Sequence, residues 1–251
     1  MTAVAGAGQS WPRTYASAII ALLDVCAREE AGAIARAAEI AATAMAGGGL
    51  VYVFGSGHSH MLGEEAFYRA GGLARVCPIL VPPYMLHEGA VESTRLERET
   101  GHAEQILSGY DIRPDRDCLV VASNSGVNAL PLEVGQLARD RGIPVIAITS
   151  VAYSRSVPDR SVRLYELADV AIDNHCPPGD ALVRVGDGLP PMGPGSTIVG
   201  AFVLNSVLLG AAERLLASGA RPEVFLSSNM PGAHQVNRAL TAELRARIPH
   251  L

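Results

Sequence analysis

A chain of 251 residues with 49% hydrophobic and 18% charged side chains carries enough apolar material for a large buried core, which excludes a disordered protein. Its formal charge of −5 gives no electrostatic reason to expect nucleic acid or an anionic membrane as partner. All 20 Lys-or-Arg positions are Arg, which excludes a lysine Schiff base, a pyridoxal phosphate anchor and a P-loop lysine. A bound phosphate would have to be held by Arg, hydroxyls or backbone N–H groups.

In chain order, residues 1–13 read as a flexible arm with no basic and apolar leader pattern. Residues 14–46 predict one long helix, with Ile19, Leu22, Leu23, Cys26, Ala33, Ile34, Ala37 and Ala41 as its apolar stripe and Gly47 to Gly49 as its stop. Strands are expected at 50–54, 74–81, 118–122, 143–149 and 168–173, and helices at 58–70, 127–141, 196–217 and 236–248. Residues 85–108 are charged and helical in character, with a break available at Gly101. Apolar strands alternating with helices predict an α/β fold whose parallel sheet is covered on both faces, with ligands beyond the carboxyl ends of the strands. No repeat, linker or charge block divides the chain, so 14–251 is expected to be a single domain with its core at about 48–217. The apolar stretch from Ile198 to Ala212 falls short of a bilayer span. The four scattered cysteines, Cys26, Cys77, Cys118 and Cys176, read as buried free thiols of a cytoplasmic protein.

Two loops open helices directly after strands. The first is Gly55-Ser56-Gly57-His58-Ser59 and the second Ser123-Asn124-Ser125-Gly126-Val127-Asn128. A helix N-terminus offers free N–H groups and partial positive charge, Ser adds donors, and Gly lets backbone approach an anion. Either loop alone is equally readable as a capped turn. The first loop imitates a dinucleotide fingerprint, but His60 stands where a third Gly would be, and Val81-Pro82-Pro83 ends the next strand without an acidic residue. No nucleotide or other cofactor is therefore expected.

The Gly-x-Gly-x-Ser and Ser-x-Ser-Gly-x-Asn loops resemble the two sugar-phosphate loops of the SIS (sugar isomerase) superfamily. That superfamily includes phosphoheptose isomerase, arabinose-5-phosphate isomerase, the isomerase half of glucosamine-6-phosphate synthase and N-acetylmuramic acid 6-phosphate etherase. Gly193-Pro194-Gly195-Ser196-Thr197 opening an apolar helix resembles the Pro-Thr-Ser-Ser-Thr-Thr helix of the arabinose-5-phosphate isomerases, and Asp117-Cys118-Leu119-Val120 fits the same pattern. The likeness covers roughly 14–217. The segments HEGAVESTRLERETGHAEQIL and VFLSSNMPGAHQVN are similar to an SIS subgroup described by analogy as phosphoheptose isomerases. The resemblance implies a three-layer, doubly wound, five-stranded parallel sheet (the SIS fold) with extra N- and C-terminal helices, a homodimer or higher homo-oligomer, and a phosphorylated sugar as ligand. It implies Gly55, Ser56, Gly57, His58, Ser59, Ser123, Asn124, Ser125, Gly126, Asn128, Ser196 and Thr197 as the binding residues.

Moving a proton between sugar carbons needs an acid–base group such as Glu or His. Glu88, Glu92, Arg95, Glu99 and His102 are spaced to share one face of an unbroken helix. That face reads either as solvated ion pairs or as the reactive segment, and resemblance to related isomerases favours Glu99 and His102 as the reacting pair. Glu64 and Glu65 follow the first loop, and Glu65 is a further candidate because a glutamate near that place is catalytic in some relatives. His58-x-His60 lacks the spacing of a helical zinc pair, so no metal is expected. His87, His175 and His234 fall in loops with no further argument attached. The expected function is an aldose–ketose sugar-phosphate isomerase, with a non-catalytic phosphosugar-binding regulator or a sugar-phosphate etherase or lyase as alternatives. No helix-turn-helix accompanies the domain to support DNA binding.

Overall fold

The computed structural model describes residues 3–4, 10–159 and 161–251. After a short strand β1 (Ala3–Val4), the chain runs α1 (Trp11–Glu29), α2 (Ala31–Ala46), β2 (Val51–Gly55), a 3-10 turn (Gly57–His60), α3 (Met61–Ala66) and β3 (Val76–Ile79). A second 3-10 turn (Pro82–Tyr84) leads to α4 (Leu86–Leu96), α5 (Ala103–Ser108), β4 (Cys118–Ala122), α6 (Ala129–Asp140) and β5 (Val145–Thr149). Then follow α7 (Val151–Ser156), α8 (Leu164–Leu167), β6 (Val170–Asp173), β7 (Ala181–Arg184), β8 (Met192–Pro194), α9 (Ser196–Ala217) and α10 (Ala233–Leu244).

Five strands form an all-parallel sheet in the order β3-β2-β4-β5-β6. Their Val, Ile and Leu runs are buried on both sides, as a doubly covered sheet requires. The pleat divides each strand between two cores. Val51, Val53, Val120 and Ile146 face one layer, built from α2, α3 and α9. Tyr52, Phe54, Leu119 and Val121 face the other, with residues of α5, α6, α8 and the end of α10. The chain therefore has the three-layer α/β architecture with helical additions that the sequence implies.

Strand order carries the functional consequence. The chain steps outward from β2 to β3, then returns past β2 to β4 and continues outward on the other side. Right-handed crossovers then place α3 on one face and α5 and α6 on the opposite face. The carboxyl ends of β2 and β4, paired from Val51↔Cys118 to Gly55↔Ala122, part at this reversal. Such a reversal opens the crevice where doubly wound sheets bind ligands.

The expected 14–46 helix is two helices, broken at Glu30 (φ −96, ψ 5), and the first begins at Trp11, inside the stretch expected to be an arm. The break frees the Glu30 side chain to reach the end of β6, where its carboxylate accepts from Asp173 N and His175 Nε2. Of that arm, residues 1–2 and 5–9 lie outside the described residues, while Ala3–Val4 pair with Val183–Arg184 in a second, three-stranded sheet with β8. Periodicity missed this sheet because its strands are too short to show alternation. It packs on α1 through Ile19, Leu182 and Val183.

Helix α9, at 22 residues, is long and apolar enough to cross a bilayer by composition, more than the expected 15-residue stretch suggested. Here it is a core helix, with Val199, Val203, Leu204, Val207 and Ala211 buried against the sheet and α2. Small residues let the two helices approach: a Cβ on Gly210 would stand 2.9 Å from Ala38 Cβ. All four cysteines are buried free thiols, and burial pushes Cys26, Cys77 and Cys118 up to about 12, which suppresses thiolate chemistry.

At the amino edge of the sheet the Asp117 carboxylate, wholly buried, accepts from Leu50 N at 2.8 Å and Arg113 N at 2.7 Å, and pairs with Arg247 beyond α10. It thus ties the starts of β2 and β4 to the C-terminal segment. Removing it would leave two backbone donors unmet and Arg247, only 16% exposed, with the half-exposed Asp111 as its remaining carboxylate. Asp117→Ala is expected to destabilise the fold by about 3–5 kcal/mol, read as a lowered urea midpoint at unchanged slope.

Candidate functional site

At the carboxyl edge, the last residues of β2 and β4 lead into the two loops side by side. Each turn depends on a glycine. A Cβ on Gly55 would collide with the Ser59 backbone, because the chain doubles back over the strand end. Gly126 holds φ +59, and a Cβ there would lie 2.6 Å from Thr149 Oγ1 on the neighbouring strand. Packed this closely, the second loop is bonded by segments that follow β5: Ser150 N, just past the strand, donates to Asn124 O, and Leu164 N, at the start of α8, donates to Gly126 O. Ser123 closes the turn by accepting from Gly126 N at 3.2 Å.

A cleft between the loops is lined by Ser59, Leu62, Ser123, Asn124, Asn174, Ser196 and Thr197. The structure thus brings together residues from both predicted loops and from the predicted start of α9. Ser56 and Ser123 are buried at the strand ends, whereas His58 is exposed. His60, at the position that breaks the dinucleotide pattern, is buried with Nδ1 on Gly57 O, so it braces the first loop.

Ser196 differs from expectation. Its hydroxyl donates to Asp180 Oδ2 at 2.6 Å, and Asp180 Oδ1 accepts from Ser196 N at 2.8 Å and Gly195 N at 3.1 Å. An internal carboxylate therefore already occupies the N-terminus of α9, where helix polarity favours an anion.

The expected reacting pair, Glu99 and His102, is brought together at 3.7 Å, with its other bonds made to Arg95 and Glu133. Gly89 (φ 152) and Gly101 (φ 93) interrupt the helical course, so the Glu88–His102 spacing does not make one continuous face. Glu99 pairs with Arg95, which also holds Glu92, all three about half exposed. The Arg95 guanidinium keeps the Glu92 carboxyl below its usual range. His102 lies 3.7 Å from Glu99 and edge-on to Tyr84, and its backbone N donates to Glu133. These partners belong to the helical layer, not to either loop, and the stripe is the ion-paired face. Glu65 pairs with Arg69 and borders a separate pocket with Asn205 and Leu209 between α3 and α9.

Glu97, which periodicity passed over because it lies off the charged stripe, is a carboxylate bonded to the second loop and close to the first. Its Oε1 accepts from Asn128 Nδ2 at 2.9 Å, and a Cβ on Gly57 would stand 3.9 Å from its Oε2. Its carbonyl accepts from Leu130 N at the start of α6, docking the end of α4 on the second loop. Ser93, fully buried, fixes α4 from the other side by donating to Tyr84 O. Only the fold brings Glu97 across to Asn128. Asn174 is a second residue that sequence reasoning missed; it follows β6 with no glycine signal beside it.

A family model described as SIS domain matches residues 14–150. A UPF0309 protein of Brucella canis is 46% identical over 237 residues, covering 94% of this chain and 97% of the relative. Among solved structures, a phosphoheptose isomerase of Neisseria gonorrhoeae aligns over 80% of this chain and 96% of its own, with a TM-score of 0.51 at 16% identity. One from Francisella tularensis does so over the same shares, with a TM-score of 0.50 at 18% identity. At these identities the likeness is one of fold.

The glycine requirement is directly measurable. Gly126→Ala meets both a left-handed backbone and the Thr149 contact, so a loss of about 1–3 kcal/mol is expected from strain, plus the clash. Gly219→Ala, with φ +83 but nothing within 4 Å, is expected to lose less in the same thermal melt.

Proposed function

The chain belongs to the SIS domain family, among the UPF0309 proteins, and on that premise we propose that it is a sugar-phosphate isomerase, with Glu97 as its acid–base group. The observation that carries this reading is the Glu97 carboxylate standing between the two serine loops, on Asn128 and beside Gly57. Two Ser-bearing helix starts at a sheet reversal suit a phosphate, and the Asp180 carboxylate disfavours a second anion at α9. The phosphate is accordingly assigned to Ser56, Ser123 and Ser125 and the polyol chain to the cleft toward Ser59 and Thr197.

Within the proposal, Glu97 removes the proton from the carbon beside the sugar carbonyl and returns it to the carbonyl carbon, while the proton of the adjacent hydroxyl passes to the former carbonyl oxygen, so no net proton is consumed. The Asn128 hydrogen bond orients the carboxylate for both transfers. The same abstraction would begin an elimination in an etherase, whereas a binding-only regulator needs no carboxylate between its phosphate loops.

A thermal-shift screen of aldose and ketose phosphates, followed by NMR of each hit in deuterated water, tests the reading. Deuterium entry next to the carbonyl is expected, and Glu97→Gln should slow it about 10²–10⁴-fold while ligand affinity changes little. Full exchange by Glu97→Gln would remove that residue from the chemistry, and binding without exchange would leave a sensor. Ser125→Ala should weaken the ligand roughly ten- to a hundred-fold, from the loss of about 1.5–3 kcal/mol. Exposed Ile198, Leu209 and Leu216 on α9 support extending the proposal to a homodimer through that helix. Light scattering at micromolar concentration would show a dimer's mass; a monomer's would refute this extension.

A further inference from the structure

Asn124, in the middle of the second loop, has a buried side-chain Nδ2 with no hydrogen-bond partner. A buried amide donor left unmade costs about 1–3 kcal/mol, so the fold retains it against a penalty. Its orientation is set from outside the loop. Asn174, 2% exposed after β6, accepts from Cys176 N with Oδ1 at 3.0 Å, which closes a turn two residues on. That leaves its Nδ2 to donate to Asn124 Oδ1 at 2.9 Å. With its oxygen held by Asn174, Asn124 keeps Nδ2 as an unpartnered donor beside the cleft that both residues line. Asn174 is itself held firmly, since its N donates to Thr149 O. The next residue, His175, adopts a left-handed backbone (φ 55) and is clamped between Glu30 at 3.1 Å and Asp173 at 3.8 Å.

We propose that Asn174 is a positioning residue that fixes the amide of Asn124 as a hydrogen-bond donor to an acceptor oxygen of the bound ligand. The chain of orientation runs from Cys176 N–H to Asn174 Oδ1, from Asn174 Nδ2 to Asn124 Oδ1, and from Asn124 Nδ2 to the ligand. It biases the second loop toward an acceptor: the unpartnered Nδ2 is satisfied by a phosphate or carbonyl-type oxygen there and left unmet by an ammonium group. The inference rests on the phosphosugar reading of this cleft.

A double-mutant cycle read by calorimetry tests it, with inorganic phosphate and fructose 6-phosphate as probes. Asn174→Ser keeps a side-chain acceptor for the turn but is too short to reach Asn124. Alone it should weaken the ligand about five- to ten-fold, as should Asn124→Ala, consistent with loss of one hydrogen bond. Because Asn174 acts through Asn124, combining the two should add nothing to Asn124→Ala alone. Loss for both probes assigns the acceptor to phosphate, and loss for fructose 6-phosphate alone assigns it to a sugar oxygen. Additive losses, or unchanged affinity in Asn174→Ser, would overturn the proposal. Should Asn174→Ser melt below the assay temperature, Asn124→Asp keeps the Asn174 bond and presents an oxygen instead; unchanged binding of both probes would equally overturn it. If the unmodified protein binds neither probe, the phosphosugar reading falls and takes this inference with it.

Discussion

The pairing of β2 with β4 is the constraint on which the rest of the molecule depends. At its lower end the buried Asp117 carboxylate gathers Leu50 N, Arg113 N and the Arg247 side chain, so the two strand starts and the C-terminal segment share one anchor. Along its length the register from Val51↔Cys118 to Gly55↔Ala122 leaves no freedom for either loop to shift alone. At its upper end the two crossovers leave by opposite faces, and the gap they leave is the cleft. A site made of two short loops can be rigid only if the strands beneath them are, and here a charged hydrogen-bond network adds to that rigidity in a core otherwise made mostly of aliphatic side chains.

Polarity inside the cleft follows from which groups are already satisfied. The α9 N-terminus is closed by Asp180, and Ser123 is partly engaged with Gly126 N. Glu97 is tied to Asn128, and Asn124 has its oxygen taken by Asn174. Each of these bonds removes one direction in which the cleft could hold a ligand. What remains in the cleft is donor-rich beside the second loop, with the Glu97 and Asp180 carboxylates outside its lining, bonded to Asn128 and Ser196. That asymmetry suits a ligand with an anionic end and a hydroxylated body.

Elements distant in sequence are recruited to hold this arrangement. The break at Glu30 sacrifices helical continuity between α1 and α2, and the carboxylate so released reaches Asp173 N and His175. The turn carrying Asn174 is thereby linked to the N-terminal helices, while the segment after β3, pinned by Ser93 to Tyr84 O, delivers Glu97 from the other side. The absence of lysine fits the same economy of charge: phosphate binding is assigned to hydroxyls and backbone donors at helix starts.

The amino-acid sequence by itself determined the layers and the two loops. Five apolar runs separated by helical periodicity specify a doubly covered parallel sheet, and Gly55, Gly57 and Gly126 mark turns that only glycine enters cheaply. It also specified the extent of α9, although Asn205, Ser206, Glu213 and Arg214 interrupt its apolar run. Only the tertiary structure decided which carboxylate meets the loops. Spacing put Glu99 and His102 together, and they lie 3.7 Å apart despite the break at Gly101, but it is Glu97, off that stripe, that the chain after β3 turns toward Asn128. Asn174 and Asp180 were likewise invisible, because their roles come from bonds to residues 50 and 16 positions away. A periodic pattern records which side of a helix or strand faces the core, and contacts fixed by strand order leave no period to read.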